Sequence, residues 1–240
     1  KVKNLNLSHS GDQLNLQNNP KLFNINYLRA LKPTTLNLRN TSVVSILALK
    51  QLNFETLDLF GPVEMFGSLP EHYRIQFTSM AGGIIRSKHN VSMQTVAVSE
   101  LACQTDIVLV PGGFGTRQLV YDSSFLQTLT TLTDEADWVL SVCTGSALLA
   151  KSGVLNSKRA TSNKMAWQWV TCQSDQVDWV EQARWVIDGK FYTSSGVSAG
   201  MDMALGFIAD RHGIEKAHQV AQHTEFRWQE NSDIDDFYRP

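Results

Sequence analysis

Residues 138–153 read Trp-Val-Leu-Ser-Val-Cys-Thr-Gly-Ser-Ala-Leu-Leu-Ala-Lys-Ser-Gly. Residues 138–142 are mostly apolar and predict a buried strand that stops at Cys143. Small residues follow, and residues 147–151 predict a helix that Gly153 closes. This is the layout of a nucleophile elbow, a sharp strand-to-helix turn that presents one reactive side chain. Because a helix start directs N–H groups and a positive dipole end at the sulfur, we expect the thiolate to be favoured.

Strands and helices alternate on both sides of this stretch. A second apolar run, residues 107–110, predicts a neighbouring strand that enters the loop Pro111-Gly112-Gly113-Phe114-Gly115. The other predicted elements are strands at residues 43–49 and 73–79, a hairpin of residues 184–187 and 191–194 around Asp188-Gly189, and helices at residues 57–66 (interrupted at Gly61-Pro62), 199–212 and 215–225. The alternation predicts an α/β fold, a three-layer sandwich with a central, mostly parallel sheet.

Two further segments carry groups suited to chemistry. Glu55 and Asp58 lie three residues apart, share a face if the segment is helical, and have apolar neighbours that favour at least one buried carboxyl. The glycines at 112 and 113 let the backbone approach a ligand closely. The N–H groups of Gly113 and Thr144 together predict a hole for a developing negative charge, with Gly112 beside it.

Composition limits the class of protein. The chain has 240 residues, 42% of them hydrophobic and 18% charged, and a net charge of -2. These values are ordinary for a globular protein and lack the basic surface typical of nucleic-acid binding, and no apolar run is long enough for a membrane span. Three cysteines without a Cys-x-x-Cys pair predict reduced thiols, a cytoplasmic location and no zinc site.

The first 42 residues differ from the rest. They are rich in Asn and Leu, and Leu-Asn-Leu occurs at Leu5, Leu14 and Leu36, a spelling seen in leucine-rich repeats. Because the intervals are unequal and the segment is short, we interpret residues 1–42 as an N-terminal extension without an assigned function, and residues 43–240 as the main domain.

The motifs together resemble the ThiJ/PfpI superfamily, relatives of the class I glutamine amidotransferases. The resemblance covers roughly residues 43–226 and implies a flavodoxin-like fold and a homodimer. The segments that carry it are residues 55–61, 111–115, 141–145, 159–161 and 195–202. Thr144 follows the nucleophile where proteolytic relatives have His, and Asn163 occupies a position where many relatives carry His. About fifteen residues follow Glu225, from which we expect no appended helix-turn-helix module of the AraC regulator type.

Leu57-Asp58-Leu59 combined with Cys143-Thr144-Gly145 looks most like the isocyanide (isonitrile) hydratase branch. That resemblance implies Cys143 as nucleophile on a small-molecule substrate, Asp58 as the proton carrier with Glu55 as substitute, Thr144 as an orienting hydroxyl, and no metal or organic cofactor. Two alternatives remain open. One is a redox or ligand sensor in which Glu55 holds an oxidised Cys143, and the other is a glyoxalase- or deglycase-like enzyme.

Overall fold

The computed structural model describes residues 8–10, 13–15, 35–37, 54–100 and 106–239. The chain divides into two compact units, Lys1–Gln51 and Leu52–Pro240. The predicted boundary after residue 42, the predicted strand at residues 43–49, and Cys103 lie outside the described residues.

The first unit contains three short strands, β1 (Ser8–Ser10), β2 (Gln13–Asn15) and β3 (Thr35–Asn37), in the order β1-β2-β3. The first pair is antiparallel and the second is parallel. Two of the Leu-Asn-Leu copies meet in the parallel pair, because Leu14 is the register partner of Leu36.

The second unit contains nine further strands and seven helices among the described residues. In chain order they are α1 (Thr56–Gly67), β4 (Thr78–Ser79), β5 (Gly83–Arg86), β6 (Ser92–Ala97), β7 (Ile107–Val110), α2 (Thr116–Leu119), α3 (Ser123–Glu135), β8 (Trp138–Val142), α4 (Gly145–Lys151), β9 (Arg159–Ala160), α5 (Trp167–Thr171), β10 (Asp178–Trp179), β11 (Trp185–Asp188), β12 (Phe191–Ser194), α6 (Ala199–His212) and α7 (Ile214–His223).

The main described sheet has the strand order β11-β12-β8-β7. Strand β8 pairs in parallel with both β7 and β12, and β11 closes the edge as an antiparallel hairpin with β12. Gly189 lies in that hairpin turn with a φ of 59°, which a residue without Cβ adopts at little cost. The predicted strand at 138–142 and the hairpin are confirmed, and the elbow therefore starts from a strand with neighbours on both sides.

Helices cover this sheet on both faces, as predicted for an α/β sandwich. Alternate residues of β8 enter two separate apolar cores, because successive side chains of a strand point to opposite faces. Leu140 and Val142 pack with α1, α6 and α7, whereas Val139 packs with α3, α4 and α5. All three are fully buried, so the strand that carries the nucleophile is held from both sides.

The prediction that Gly61-Pro62 interrupts the first helix is wrong, because α1 runs through both residues. A proline in a helix removes one hydrogen bond and usually costs about 3 kcal/mol. Here Pro62 is buried and α1 packs closely against α6, since a Cβ on Gly61 would lie 2.8 Å from Met201 Cγ.

The predicted strand at residues 73–79 is also shorter in the structure. Only Thr78–Ser79 pairs, in parallel with β6. Tyr73 instead turns its ring onto Phe66, with 4.9 Å between ring centroids, so aromatic packing replaces strand alternation there. None of the helices in the described ranges combines the length and apolarity needed to cross a bilayer.

Candidate active site

Cys143 forms the elbow between β8 and α4. Its φ is +56°, a left-handed conformation that is uncommon for residues other than glycine and costs about 1–3 kcal/mol. Three hydrogen bonds hold it there: the Cys143 N–H donates to Ser194 O at 3.2 Å, and the Cys143 carbonyl accepts the hydroxyls of Ser162 at 2.8 Å and Ser146 at 3.1 Å. The strained turn is therefore supported on both sides of the nucleophile.

The glycines beside the elbow permit close backbone approach. A Cβ on Gly145 would lie 2.2 Å from the carbonyl oxygen of Val110, at the end of β7. A Cβ on Gly112 would lie 2.6 Å from the Thr144 nitrogen. Real Cβ atoms do not make contacts of this length, so the glycine-rich loop and the start of α4 fit together only without these side chains.

Asp58 lies in the first turn of α1, and its side chain is fully buried beside the thiol. Its Oδ2 accepts the N–H of Gly112 at 3.1 Å, and the Cys143 thiol is a hydrogen-bonding neighbour of the same carboxyl. Its Oδ1 accepts no N–H or O–H donor among the described residues. Burial, against the opposing effect of the Cys143 hydrogen bond, raises the pKa of Asp58 to about 7.

The Cys143 thiol differs from the sequence expectation of a favoured thiolate. The residue is only 7% exposed, and its burial, followed by the charge of Asp58, raises the thiol pKa well above its usual range. The N–H and hydroxyl of Thr144 act in the opposite direction, as a helix start should, but they are outweighed. The carboxyl therefore loses its proton at a lower pH than the thiol, so that above about pH 7 an ionised Asp58 lies beside a protonated Cys143.

Glu55 does not share a helix face with Asp58. It is the N-cap residue of α1 with extended backbone (φ -74°, ψ 124°), so the helical spacing assumed from sequence does not apply. Its carboxylate forms an ion pair with Lys88 at 2.8 Å and approaches His89 at 3.7 Å. The structure thus brings Asp58 to the thiol and directs Glu55 toward Lys88.

The N–H groups predicted to bind a developing negative charge already have acceptors. The Gly112 N–H donates to Asp58, as described above, and the Gly113 N–H donates to Thr144 Oγ1 at 2.9 Å. The Thr144 N–H, in contrast, acts as a hydrogen-bond donor that lowers the pKa of the Cys143 thiol. The glycine-rich loop therefore positions Asp58 and the Thr144 side chain. Of the N–H groups predicted to bind a negative charge, that of Thr144 is the one that acts on the Cys143 sulfur.

Asn163, His89 and His212 form hydrogen bonds with residues other than Cys143. Asn163 caps a 3₁₀ turn, Lys164–Ala166, where its Oδ1 accepts the Ala166 N–H at 3.2 Å. His89 Nδ1 lies 2.8 Å from Thr56 Oγ1, and His212 Nε2 lies 2.8 Å from the Tyr73 hydroxyl. In the part of the chain that the structure describes, no cluster of three or more His, Cys, Asp or Glu side chains is arranged to hold a metal ion.

A buried charge network behind the elbow was not predicted. Arg184 Nε donates to Asp202 Oδ2 at 2.7 Å, and Arg184 Nη1 donates to Asp235 Oδ1 at 3.3 Å. Asp235 also accepts the Ser195 hydroxyl and lies 3.5 Å from Lys164 Nζ. The network ties residue 235 to the loop after β9, where Ser162 binds the Cys143 carbonyl, and to Ser195, which follows the residue that accepts the Cys143 N–H.

The sequence signal for this network is Asp202, which ends the motif at residues 195–202. The other members are far apart in the chain and have no distinctive neighbours.

Comparison with known proteins gives a consistent assignment. The model of a family described as DJ-1/PfpI matches residues 44–210. Isonitrile hydratase of Pseudomonas putida is 29% identical over 172 residues, which cover 72% of this chain and 74% of that protein. The HTH-type transcriptional regulator CdhR of Pseudomonas aeruginosa is 29% identical over 152 residues, 62% of this chain, but the match spans only 44% of the regulator.

Among solved structures, a ThiJ/PfpI family protein from Pseudomonas syringae superposes with a TM-score of 0.65. It is 25% identical, and the superposition covers 78% of this chain and 74% of that one. The predicted α/β architecture of this superfamily is thereby confirmed.

Proposed function

The chain belongs to the DJ-1/PfpI family, and from that premise we propose that it is an isocyanide hydratase-like enzyme that converts R–NC and water into the N-formamide R–NH–CHO. The similarity to isonitrile hydratase of Pseudomonas putida supports this choice within the family. The match to a transcriptional regulator shows that family membership alone does not define an activity. The proposal therefore depends on the site.

The observation that carries the proposal is the buried Asp58 carboxyl beside the Cys143 thiol. A group that takes up a proton in one step and returns it in the next works best when its pKa lies near the working pH. Asp58, with a pKa of about 7, meets that requirement without a histidine.

The first half of the reaction forms a covalent intermediate. The Cys143 sulfur attacks the terminal carbon of the isocyanide while Asp58 accepts the thiol proton. Asp58 then delivers that proton to the same carbon, giving the thioimidate R–N=CH–S–Cys143. The N–H and hydroxyl of Thr144 orient the sulfur during the attack.

The second half releases the product. Water adds to the thioimidate carbon while Asp58 accepts one of its protons and passes it to the nitrogen, giving R–NH–CH(OH)–S–Cys143. The carbon–sulfur bond then breaks, the hydroxyl loses its proton to Asp58 and becomes the formyl oxygen, and Asp58 returns that proton to the sulfur. The sum is addition of one water molecule, with no electron transfer and no cofactor.

Steady-state hydration of a simple alkyl and a simple aryl isocyanide tests the proposal, with the formamide measured by mass spectrometry. We expect turnover by the parent chain and none by Cys143→Ala. Asp58→Asn keeps size and polarity but cannot carry the proton, so kcat should fall by about 10² to 10⁴-fold. Glu55→Gln is the matched control, and its loss should be smaller because Glu55 pairs with Lys88.

Two outcomes would contradict the assignment. Absence of formamide with the parent chain removes the hydratase activity itself, and full activity in Asp58→Asn removes the role of Asp58. The sensing and glyoxalase-like alternatives both use Glu55 as the partner of Cys143. The burial of Asp58 beside the Cys143 thiol and the ion pair of Glu55 with Lys88 support the hydratase proposal over these two. We also propose, from the resemblance alone, that the chain acts as a homodimer on a small-molecule substrate.

A further inference from the structure

Two acidic residues bind the backbone of Gly112. The Glu55 N–H donates to the Gly112 carbonyl oxygen at 3.0 Å, and the Gly112 N–H donates to Asp58 Oδ2 at 3.1 Å. The backbone of Glu55 also packs on the next residue, since a Cβ on Gly113 would lie 2.4 Å from the Glu55 nitrogen. Glu55 therefore lies directly against the loop that positions Asp58 beside Cys143.

Lys88 supplies a charge opposite to that of Glu55. Its Nζ lies 2.8 Å from Glu55 Oε2, and its backbone N–H donates to the Phe54 carbonyl oxygen at 2.9 Å, which fixes the position from which the side chain extends. The ammonium group also lies 6.0 Å from the centre of the Phe114 ring, which belongs to the glycine-rich loop. The Lys88 side chain is 42% exposed and that of Glu55 is 16% exposed, so a molecule in solution can approach the ammonium group.

The charges of both side chains reach the Asp58 carboxyl. Besides burial, which has the largest effect, the charge of Glu55 raises the pKa of Asp58 and the charge of Lys88 lowers it. Since Asp58 lies beside the Cys143 thiol, the same two charges act on a molecule that approaches the sulfur. When both are present their effects largely cancel, whereas without Lys88 a second negative charge would remain beside Asp58.

We propose that Lys88 is a specificity-determining residue, which allows molecules with a negatively charged group to react at Cys143 by cancelling the charge of Glu55. Uncharged molecules depend on it much less, because they have no net charge on which either side chain acts. Under the proposed hydratase function, the substrates concerned are isocyanides whose R group carries a carboxylate. The charge effect itself does not depend on that function.

The experiment compares two alkylating reagents of similar size with the same leaving group, iodoacetate, which is an anion, and iodoacetamide, which is uncharged. The folded, full chain is treated with each reagent, and peptide mass mapping gives the rate of alkylation at Cys143. Because both reagents react with the same thiolate, a change in the pKa of the thiol cancels in the ratio of the iodoacetate rate to the iodoacetamide rate. The pH is set at about 8.5, where ordinary imidazoles carry no charge, because His89 Nδ1 lies 3.7 Å from Glu55 Oε1.

The variants change the charge in both directions. In about 10 mM salt, Lys88→Gln should lower the rate ratio at Cys143 about threefold to tenfold, the effect of one charge at a partly solvated site. Glu55→Gln should raise the ratio by a similar factor, and the double variant should return to the parent ratio, because it removes one charge of each sign. Lys88→Arg keeps the charge and should keep the ratio. In about 1 M salt the Debye length is about 3 Å, and these differences should largely disappear.

Two controls separate a local charge effect from a general one. Lys158→Gln breaks a comparable ion pair, with Asp188 at 3.5 Å beside the hairpin turn of β11 and β12, and should leave the ratio at Cys143 unchanged. Cys172, an exposed free thiol in the same samples, should show the same ratio in every variant. An unchanged ratio at Cys143 in Lys88→Gln, or a double variant that matches Lys88→Gln instead of the parent, overturns the proposal. Since no isocyanide is used, the result is independent of whether the chain hydrates one.

Discussion

Glu55 and Asp58 are three residues apart, and the exact start of α1 decides which carboxyl meets the thiol. With the helix beginning at Thr56, Glu55 is a cap residue outside it and Asp58 lies in its first turn. The sequence pointed to both acids and to Cys143, since apolar neighbours and a strand-to-small-residue junction are local signals. It did not separate the acids, because a one-residue uncertainty in a helix boundary changes the direction of a side chain.

The protonation state of the Cys143 thiol could not be predicted from the sequence either. A helix start is visible in the pattern of small residues, and it does favour the thiolate through the N–H of Thr144. Burial acts in the opposite direction and is larger, because it depends on atoms that residues distant in the chain bring to the sulfur.

The pH dependence of activity follows from Asp58. The carboxyl must be ionised to accept the thiol proton, and its pKa is raised to about 7. We therefore expect kcat/KM for an isocyanide to increase as the pH rises through about 7 and then to level off. Asp58→Asn should lose this rise together with most of the rate, and an unchanged pH profile in that variant would assign the titration to another group.

At the scale of elements, the active site depends on the contact between the end of β7 and the start of α4. Gly145→Ala places a Cβ 2.2 Å from a backbone oxygen, which cannot rotate away. We expect the free energy of unfolding to fall by about 1–3 kcal/mol, as for other overpacked sites. Urea titration measures it, and Gly67→Ala, whose Cβ would have 3.8 Å to Ile75 Cδ1, is the control with a change of about 0.5 kcal/mol or less. Equal stability of the two variants would contradict the packing argument.

Sequence patterns predicted the elements whose residues are mostly apolar. The strands at residues 107–110 and 138–142 and the helix at 199–212 have the predicted bounds, because long apolar runs and a helix-length pattern leave little choice. The helix α3 was not predicted, since only Leu129 and Thr133 of its thirteen residues are buried. Its N-cap, Asp122, which accepts the Phe125 N–H, was the available signal.

At the scale of the whole molecule, the buried network of Arg184, Asp202, Asp235 and Lys164 joins segments that are distant in the chain. Asp235→Ala removes one partner from a buried guanidinium, and breaking a buried pair in this way typically costs about 3–5 kcal/mol. Thermal and urea unfolding should show the loss. Asp236→Ala changes an exposed neighbour and should shift stability by less than about 0.5 kcal/mol. A comparable effect of both substitutions would show that the network contributes little.

The separation of its members along the chain sets the order in which the contacts of this network can form during synthesis. Arg184 reaches Asp202, 18 residues later, and Asp235, 51 residues later. Ribosomes add about 5–20 residues per second, so Asp202 is available a few seconds before Asp235 leaves the exit tunnel. During that interval the guanidinium of Arg184 has only one of its two acids. The contacts that Asp235 makes therefore form after the segment that carries Cys143 has been translated.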